Sequence, residues 1–282
     1  MRQSHDQQEV CATLCDEARA LANMEPMLTP LLRQELLSAS SLADALICRM
    51  TSTLAAVDFG KAACEALLRE GVEDKSSFSA VATQDLRAIH SRDPACRTHL
   101  HAYLNCKAWH AVQLHRVAHE FWSAGRHELA AWLSNRVSRA FGPDIHPAAR
   151  LGTGVMLYHG SGVVIGETAV VEDDVTILQN VTLGGTGKVL GDRHPKVRQG
   201  AMIGAGAKIT GNVEIGAFSM IGAASVVLKE VPPWCTVAGV PAQIVRLYPE
   251  SDCGGDTIAF GPIDQAEAGA GSAHDRASPV RP

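Results

Sequence analysis

Apolar positions follow one rhythm up to about residue 142 and a different one beyond it. In the first part Leu14, Ala18 and Leu21, then Leu28, Leu31 and Leu32, recur at three- and four-residue spacings, which lines one face of an α-helix. Pro26 and Pro30 interrupt the run and predict a break between helices. Ser41 stands before Leu42, Ala45, Leu46 and Arg49 in helical phase and reads as an N-cap. A further amphipathic stretch spans His101 to Phe141, with a break expected at Gly125. Ala and Leu are plentiful and β-branched residues few, as helices prefer. Residues 1–142 therefore read as a helical bundle.

From Gly142-Pro143 onward Gly, Val and Ile dominate, and the apolar beat becomes six. Ile145, Leu151, Leu157, Val163, Ala169, Val175 and Val181 are six apart, and the beat returns at Val197, Ile203, Ile209, Ile215, Ile221 and Val227. Small residues, Ala201, Ala207, Ser219 and Ser225, stand two positions before the aliphatic, and glycine follows it at 152, 204, 216 and 222. A period of six fits neither a helix nor an alternating strand. It fits a solenoid whose short strands meet at corners, one aliphatic per face pointing inward. Glycine near those corners would permit backbone angles that a side chain forbids. The expected fold is α + β: a helical domain over 1–142, then a parallel β-helix of hexapeptide repeats over 143–250. Residues 184–196, GGTGKVLGDRHPK, break the phase and predict a projecting loop. From residue 251 to 282 the chain is rich in Gly, Ala, Ser and Pro and reads as a disordered tail.

Composition narrows the possibilities. With 282 residues, 46% of them hydrophobic, the chain can fill two cores. A formal charge of −5 offers no basic stripe for nucleic acid. The opening MRQSHDQQEV lacks an apolar signal region, and no apolar run is long enough to span a bilayer, so a soluble cytoplasmic protein with no membrane partner is expected. The eight cysteines are scattered without a C-x-x-C pair and read as reduced, mostly buried thiols.

Polar residues that violate the beat are the candidates for chemistry. Asp144 lies fifteen residues before His159. In a coil of about eighteen residues per turn the two can fall on neighbouring layers, which stack about 4.8 Å apart. A carboxylate accepting the Nδ1 proton would leave Nε2 free as a base near neutral pH; a solvated corner histidine is the plain alternative. In the loop, Arg193 offers a bidentate match to a substrate carboxylate beside His194. Metal ligation is not expected. A three-histidine zinc centre needs two ligands close together, whereas His159 and His194 are far apart and His146 has no partner at ligand spacing. His115 and His119 stand four apart but lack the glutamate of H-E-x-x-H, and read as part of a helix face.

With these residues in view, the chain resembles the bacterial serine O-acetyltransferases, a hexapeptide-repeat acyltransferase family, over roughly residues 15–247. The likeness is carried by EARALANMEPML, SRDPA (91–95), DIHPAARLG (144–152), HGSGVVIGETAVVEDDVTILQNVTLGGTGK (159–188), GDRHPKVRQGAMIGAGAKITGN (191–212) and VPPWCTVAGVPAQIV (231–245). It implies a left-handed β-helix and acetyl transfer from acetyl-CoA to the hydroxyl of serine, the first step of cysteine biosynthesis, with no permanently bound cofactor and no metal. It implies His159 as the base, Asp144 as its orienting partner, and Asp93, Arg193 and His194 as acceptor-binding residues. Gly184, Gly185 and Thr186 would face the thioester, and Ala205, Ala223 and the Gly239 region would line the acetyl-CoA track between subunits. Members form trimers through the β-helix and dimers of trimers through the helical domain. Two departures stand out. The family carries Asp before the catalytic histidine, where this chain has Tyr158, which calls for weaker cysteine inhibition and leaves open homoserine or another hydroxylated amine as acceptor, or a non-catalytic scaffold. The chain ends at Pro282 without the terminal isoleucine that binds cysteine synthase, so weak or no binding to that partner is expected.

Overall fold

The computed structural model describes residues 2–55 and 60–248. The expected tail from residue 251, and Cys253 within it, lie outside the described residues. The N-terminal part is built of α1 (Arg2–Met24), a short α2 (Thr29–Leu32), α3 (Leu42–Leu54), α4 (Lys61–Gly71), α5 (Lys75–Arg92), α6 (His99–Asn105), α7 (Lys107–Ser123) and α8 (His127–Phe141). Pro26 opens a 3-10 turn, so the proline pair does end α1. Ser41 caps α3: its hydroxyl accepts the Asp44 N–H at 3.1 Å and donates to the Asp44 carboxylate at 2.7 Å. The break at Gly125 is present, with φ +77. The stretch from His101 is interrupted a second time, at Cys106 (φ −83, ψ 83), which no proline or glycine announces. Packing accounts for it: Tyr103 and Trp109, one on each side of the break, are both buried, with ring centroids 5.9 Å apart.

Beyond Gly142 the chain winds through three parallel sheets in rotation. The first stacks β1 (Asp144–Ile145), β4 (Val164–Ile165), β7 (Thr182–Gly184), β10 (Lys208–Thr210) and β13 (Val226–Val227). The second stacks β2 (Arg150–Leu151), β5 (Val170–Val171), β8 (Lys196–Val197) and β11 (Glu214–Ile215). The third stacks β3 (Met156–Leu157), β6 (Thr176–Ile177), β9 (Met202–Ile203), β12 (Met220–Ile221) and β14 (Cys235–Gly239), and is closed by an antiparallel β15 (Ala242–Leu247). The result is a three-sided prism. Its interior holds the aliphatics Val197, Ile203, Ile209 and Ile215, all fully buried, and the small residues Ala201, Ala207, Ser219 and Ser225 beside them.

Register corrects two expectations. Regular turns take eighteen residues, as in Val164↔Thr182 and Met202↔Met220. The first turn takes twenty, pairing Asp144 with Val164 and Leu157 with Ile177. The seven positions from Ile145 to Val181 are therefore not one column. The aliphatic column runs Ile145, Leu151, Leu157, then Ile165, Val171, Ile177 and Leu183, while Val163, Ala169, Val175 and Val181 fill the small-residue column. Both columns are apolar here, which hides a two-residue slip from the sequence. The slip falls at the corner carrying Tyr158, His159 and Gly160. The second correction concerns glycine. At Gly204 a Cβ would sit 2.6 Å from the Ile221 carbonyl oxygen, and at Gly216 2.3 Å from Pro233 N, so these glycines allow close stacking of coils. Several of the left-handed corner positions themselves carry side chains, among them Asn180, Phe218 and Ala224.

The two parts meet through buried polar contacts. Asp85 of α5 accepts the Val155 N–H at 3.0 Å and is bridged by Gln113 and Arg116 of α7, each at 2.8 Å. Arg116 also donates to the carbonyls of Leu151 and Gly152. His115 and His119 donate to the carbonyls of Ala149 and Pro147, so both serve this junction.

Candidate active site

The prism has three edges, and the candidate residues occupy two of them. The first edge lies where the chain leaves the third sheet for the first sheet. Its coils are stitched by Asn180 N–H to Ser161 O at 2.8 Å, Gly206 N–H to Gln179 O at 2.9 Å and Ala224 N–H to Ala205 O at 2.8 Å. The stack places Ala205, Ala223 and Gly239 in one column above the corner of His159. Gln179 stands in the same column between His159 and Ala205, and beyond it the side chains are methyl groups or hydrogen.

The two extra residues make the His159 corner. His159 is exposed and takes a left-handed backbone (φ +59), followed by Gly160 (φ +74) and Gly162 (φ +69). Gly160 is wedged so that a Cβ there would lie 2.6 Å from the Ala108 Cβ and 3.0 Å from Pro143 Cγ. Asp144 follows Pro143 directly and is also exposed, and its N–H bonds to Val163 O at 2.8 Å. Asp144 and His159 thus flank one contact point, Pro143 against Gly160. They reach it by the twenty-residue turn rather than by stacking one regular layer apart.

Tyr158 turns towards the helical domain. Its ring stands edge-on to the His159 imidazole, centroids 4.3 Å apart, and its hydroxyl donates to Asp93 Oδ1 at 3.3 Å. Asp93 ends α5 and also accepts the Ala95 N–H at 2.9 Å. Burial, followed by the adjacent Asp93 charge, holds the Tyr158 phenol above its ordinary pKa, so it is a neutral donor.

The second edge, between the first and second sheets, carries Gly184, Gly185, Thr186, Arg193 and His194. His194 is 7% exposed, and its ring lies over Gly166, where a Cβ would come within 2.0 Å of it. Thr168 organises this imidazole. The Thr168 hydroxyl oxygen accepts the N–H groups of Arg193 (3.0 Å) and His194 (3.1 Å), leaving its proton for His194 Nδ1 at 2.9 Å. The Thr168 N–H points at the same Nδ1, at 3.2 Å. Nδ1 is therefore an acceptor, and the neutral ring carries its proton on Nε2, near Gly185. Burial, then the Arg193 charge, lowers the His194 pKa and favours that neutral form. Arg193 pairs with Glu167 at 2.5 Å, and this hydrogen bond is the main cause of a lowered Glu167 pKa.

One chain thus brings Asp93, Asp144, Tyr158 and His159 to one end of the first edge, with Ala205, Ala223 and Gly239 along it. Gly184, Gly185, Thr186, Arg193 and His194 sit on the other edge. Glu167 and Thr168, which hold the Arg193–His194 pair, were not singled out from the sequence. Their signal is the spacing: β5 and β8 are offset by 26 residues (Val170↔Lys196), and Thr168 lies that same distance before His194. The loop insertion conceals that offset.

A family model described as serine acetyltransferase, N-terminal, matches residues 10–114. A serine acetyltransferase of Salmonella typhimurium is 50% identical over 229 residues, covering 81% of this chain and 84% of the relative. A solved serine acetyltransferase in complex with cysteine superposes with a TM-score of 0.84 at 44% identity, covering 86% of this chain and 95% of that one. A Brucella abortus serine acetyltransferase in complex with coenzyme A gives a TM-score of 0.83 at 44% identity, covering 86% and 96%.

Proposed function

The chain belongs to the serine acetyltransferase family, and from that premise we propose that His159 is the base of the transfer and Asp144 its orienting partner. The fold is the family's: N-terminal helices and a left-handed parallel β-helix. The enzyme moves the acetyl group of acetyl-CoA to the hydroxyl of L-serine, giving O-acetylserine and CoA. In the proposed step the serine oxygen attacks the thioester carbon while its proton passes to His159 Nε2. The C–S bond then breaks, and the proton goes to the departing CoA thiolate. Backbone N–H groups at Gly184 and Gly185 receive the charge that develops on the carbonyl oxygen, with Thr186 beside them. Ala205, Ala223 and Gly239 bound the track of the CoA arm. Asp93 receives the serine ammonium, and Arg193 with the Nε2–H of His194 receives its carboxylate.

The observation that supports this best is the placement of His159, at the end of the column that runs on through Gln179 to Ala205, Ala223 and Gly239. Replacing His159 by Ala, with thiol release from acetyl-CoA as the readout, is expected to lower kcat by about 10²–10⁴-fold, the usual weight of a general base. Full turnover in that variant would end the proposal.

The separation of the residues over two edges favours a trimer in which the first edge of one chain meets the second edge of the next. The helical domains would then join two trimers. Tyr158 favours altered acceptor handling: its hydroxyl already occupies an oxygen of Asp93 and replaces a charged carboxylate with a neutral phenol. Cysteine, bound through the same ammonium contact, should therefore inhibit weakly, and homoserine is the alternative acceptor to measure against serine.

A further inference from the structure

The corner that carries His159 is the lowest turn of its edge, and among the described residues no full coil lies beneath it. A regular corner is fixed by ladder bonds to the coils on both sides. This one is bonded to the coil above through Tyr158 N–H to Ile177 O and Asn180 N–H to Ser161 O, both at 2.8 Å. It is bonded internally through Gly160 N–H to Tyr158 O at 2.7 Å and Val163 N–H to Gly160 O at 3.2 Å, and from below at its far end, where Asp144 N–H reaches Val163 O at 2.8 Å. His159 itself lies between these bonds. On its other side stands the helical domain. Lys107, the first residue of α7, donates from Nζ to the Ser161 hydroxyl at 2.8 Å. Its neighbour Ala108 presses on Gly160, and the Lys107 ammonium lies 3.5 Å from where a Cβ on Gly142 would be. Asp93 holds the opposite end of the same corner through Tyr158. Ser161 is two residues from His159, and the intervening Gly160 and following Gly162 give that segment little stiffness of its own.

We propose that Lys107 is a positioning residue for acetyl transfer: by tying Ser161 it fixes where the inserted corner holds the His159 imidazole. This rests on His159 being the base. Lys107 itself need touch neither substrate. Its effect travels through one hydrogen bond and two residues of backbone, so the bond should influence the chemical step more than the binding of either substrate.

The experiment compares Lys107→Met, Lys107→Arg, Ser161→Ala and the Lys107→Met/Ser161→Ala double variant of the full chain, with His159→Ala alongside. Thiol release is followed while serine and acetyl-CoA are each varied. Lys107→Met and Ser161→Ala are each expected to lower kcat by about tenfold with both KM values within about twofold. The double variant should fall no further than the worse single one, because both remove one bond. Lys107→Arg, which can still donate to the hydroxyl, should recover most of the rate. Unchanged kcat in Lys107→Met, a loss seen only in KM, losses that multiply in the double variant, or an arginine no better than methionine would each overturn the proposal. His159→Ala separates the two ideas: activity there removes the base, whatever Lys107 does, whereas a dead His159→Ala beside an unaffected Lys107→Met removes only the positioning role.

Discussion

At the scale of single residues, Tyr158 does most to distinguish this chain. A carboxylate at that position would stand beside Asp93 as a second negative charge facing the acceptor's ammonium. The phenol instead adds a donor to Asp93 and spends part of that carboxylate's accepting capacity within the protein. Tyr158→Asp is expected to tighten inhibition by cysteine about tenfold or more, the scale of one hydrogen bond between charged groups. Inhibition constants measured against serine decide it, and equal values in both proteins would remove Tyr158 from any account of acceptor binding. Gly166 matters for a different reason. The His194 ring occupies the space a side chain would need, so the Nε2–H donor exists only because this position is bare.

At the scale of elements, the junction between α5, α7 and the first coil is the feature to test. Asp85 is fully buried and satisfies a backbone N–H, an amide and a guanidinium at once. Asp85→Ala leaves the Val155 N–H and the Gln113 amide without this acceptor and the Arg116 charge without its counter-ion, with only the Leu151 and Gly152 carbonyls to receive it. The change should cost about 3–5 kcal/mol, as breaking a buried ion pair does. Chemical denaturation would record it, and a midpoint within error of the parent would mean the junction contributes nothing. Much of this level was legible in sequence: the proline break, the Ser41 cap and the six-residue beat all follow from local chemistry. The break at Cys106 was not, because packing of Tyr103 and Trp109 decides it. Nor was the two-residue slip at His159, since Val163 and Ile165 are both apolar and either column accepts them.

At the scale of the molecule, two properties follow from how the parts are joined. His110 and His115 are buried where burial is the main cause holding their pKa at about 3. Their folded values lie below the unfolded one, so the folded form refuses protons that the unfolded chain accepts. Stability should therefore be full above about pH 6.5 and fall as the pH drops towards 3, by up to about 1.4 kcal/mol per pH unit for each histidine. Melting temperatures between pH 7.5 and 5 test this; the slope should flatten in His115→Gln, and an unaltered slope would refute the assignment. The second property concerns assembly. If neighbouring chains share each site, refolding His159→Ala and His194→Ala chains together should restore about one quarter of the sites, the chance that an intact edge meets an intact edge. Mixtures as inactive as their components would place both edges in separate roles.

The sequence by itself determined the two textures, the six-residue repeat of a parallel β-helix and the supply of residues whose chemistry can move a proton or hold a carboxylate. These are properties of side-chain size, period and chemistry, and they are written locally. Only the tertiary structure decided that the first turn takes twenty residues, that His159 lies on the edge of Ala205, Ala223 and Gly239, and that His194 lies on another. It also decided that Thr168 sets the His194 tautomer and that Lys107 and Asp93 reach across from the helices to one corner. Those relations depend on which coil stacks on which, and stacking is set by hydrogen bonds between residues fifteen or more apart, which no local pattern encodes.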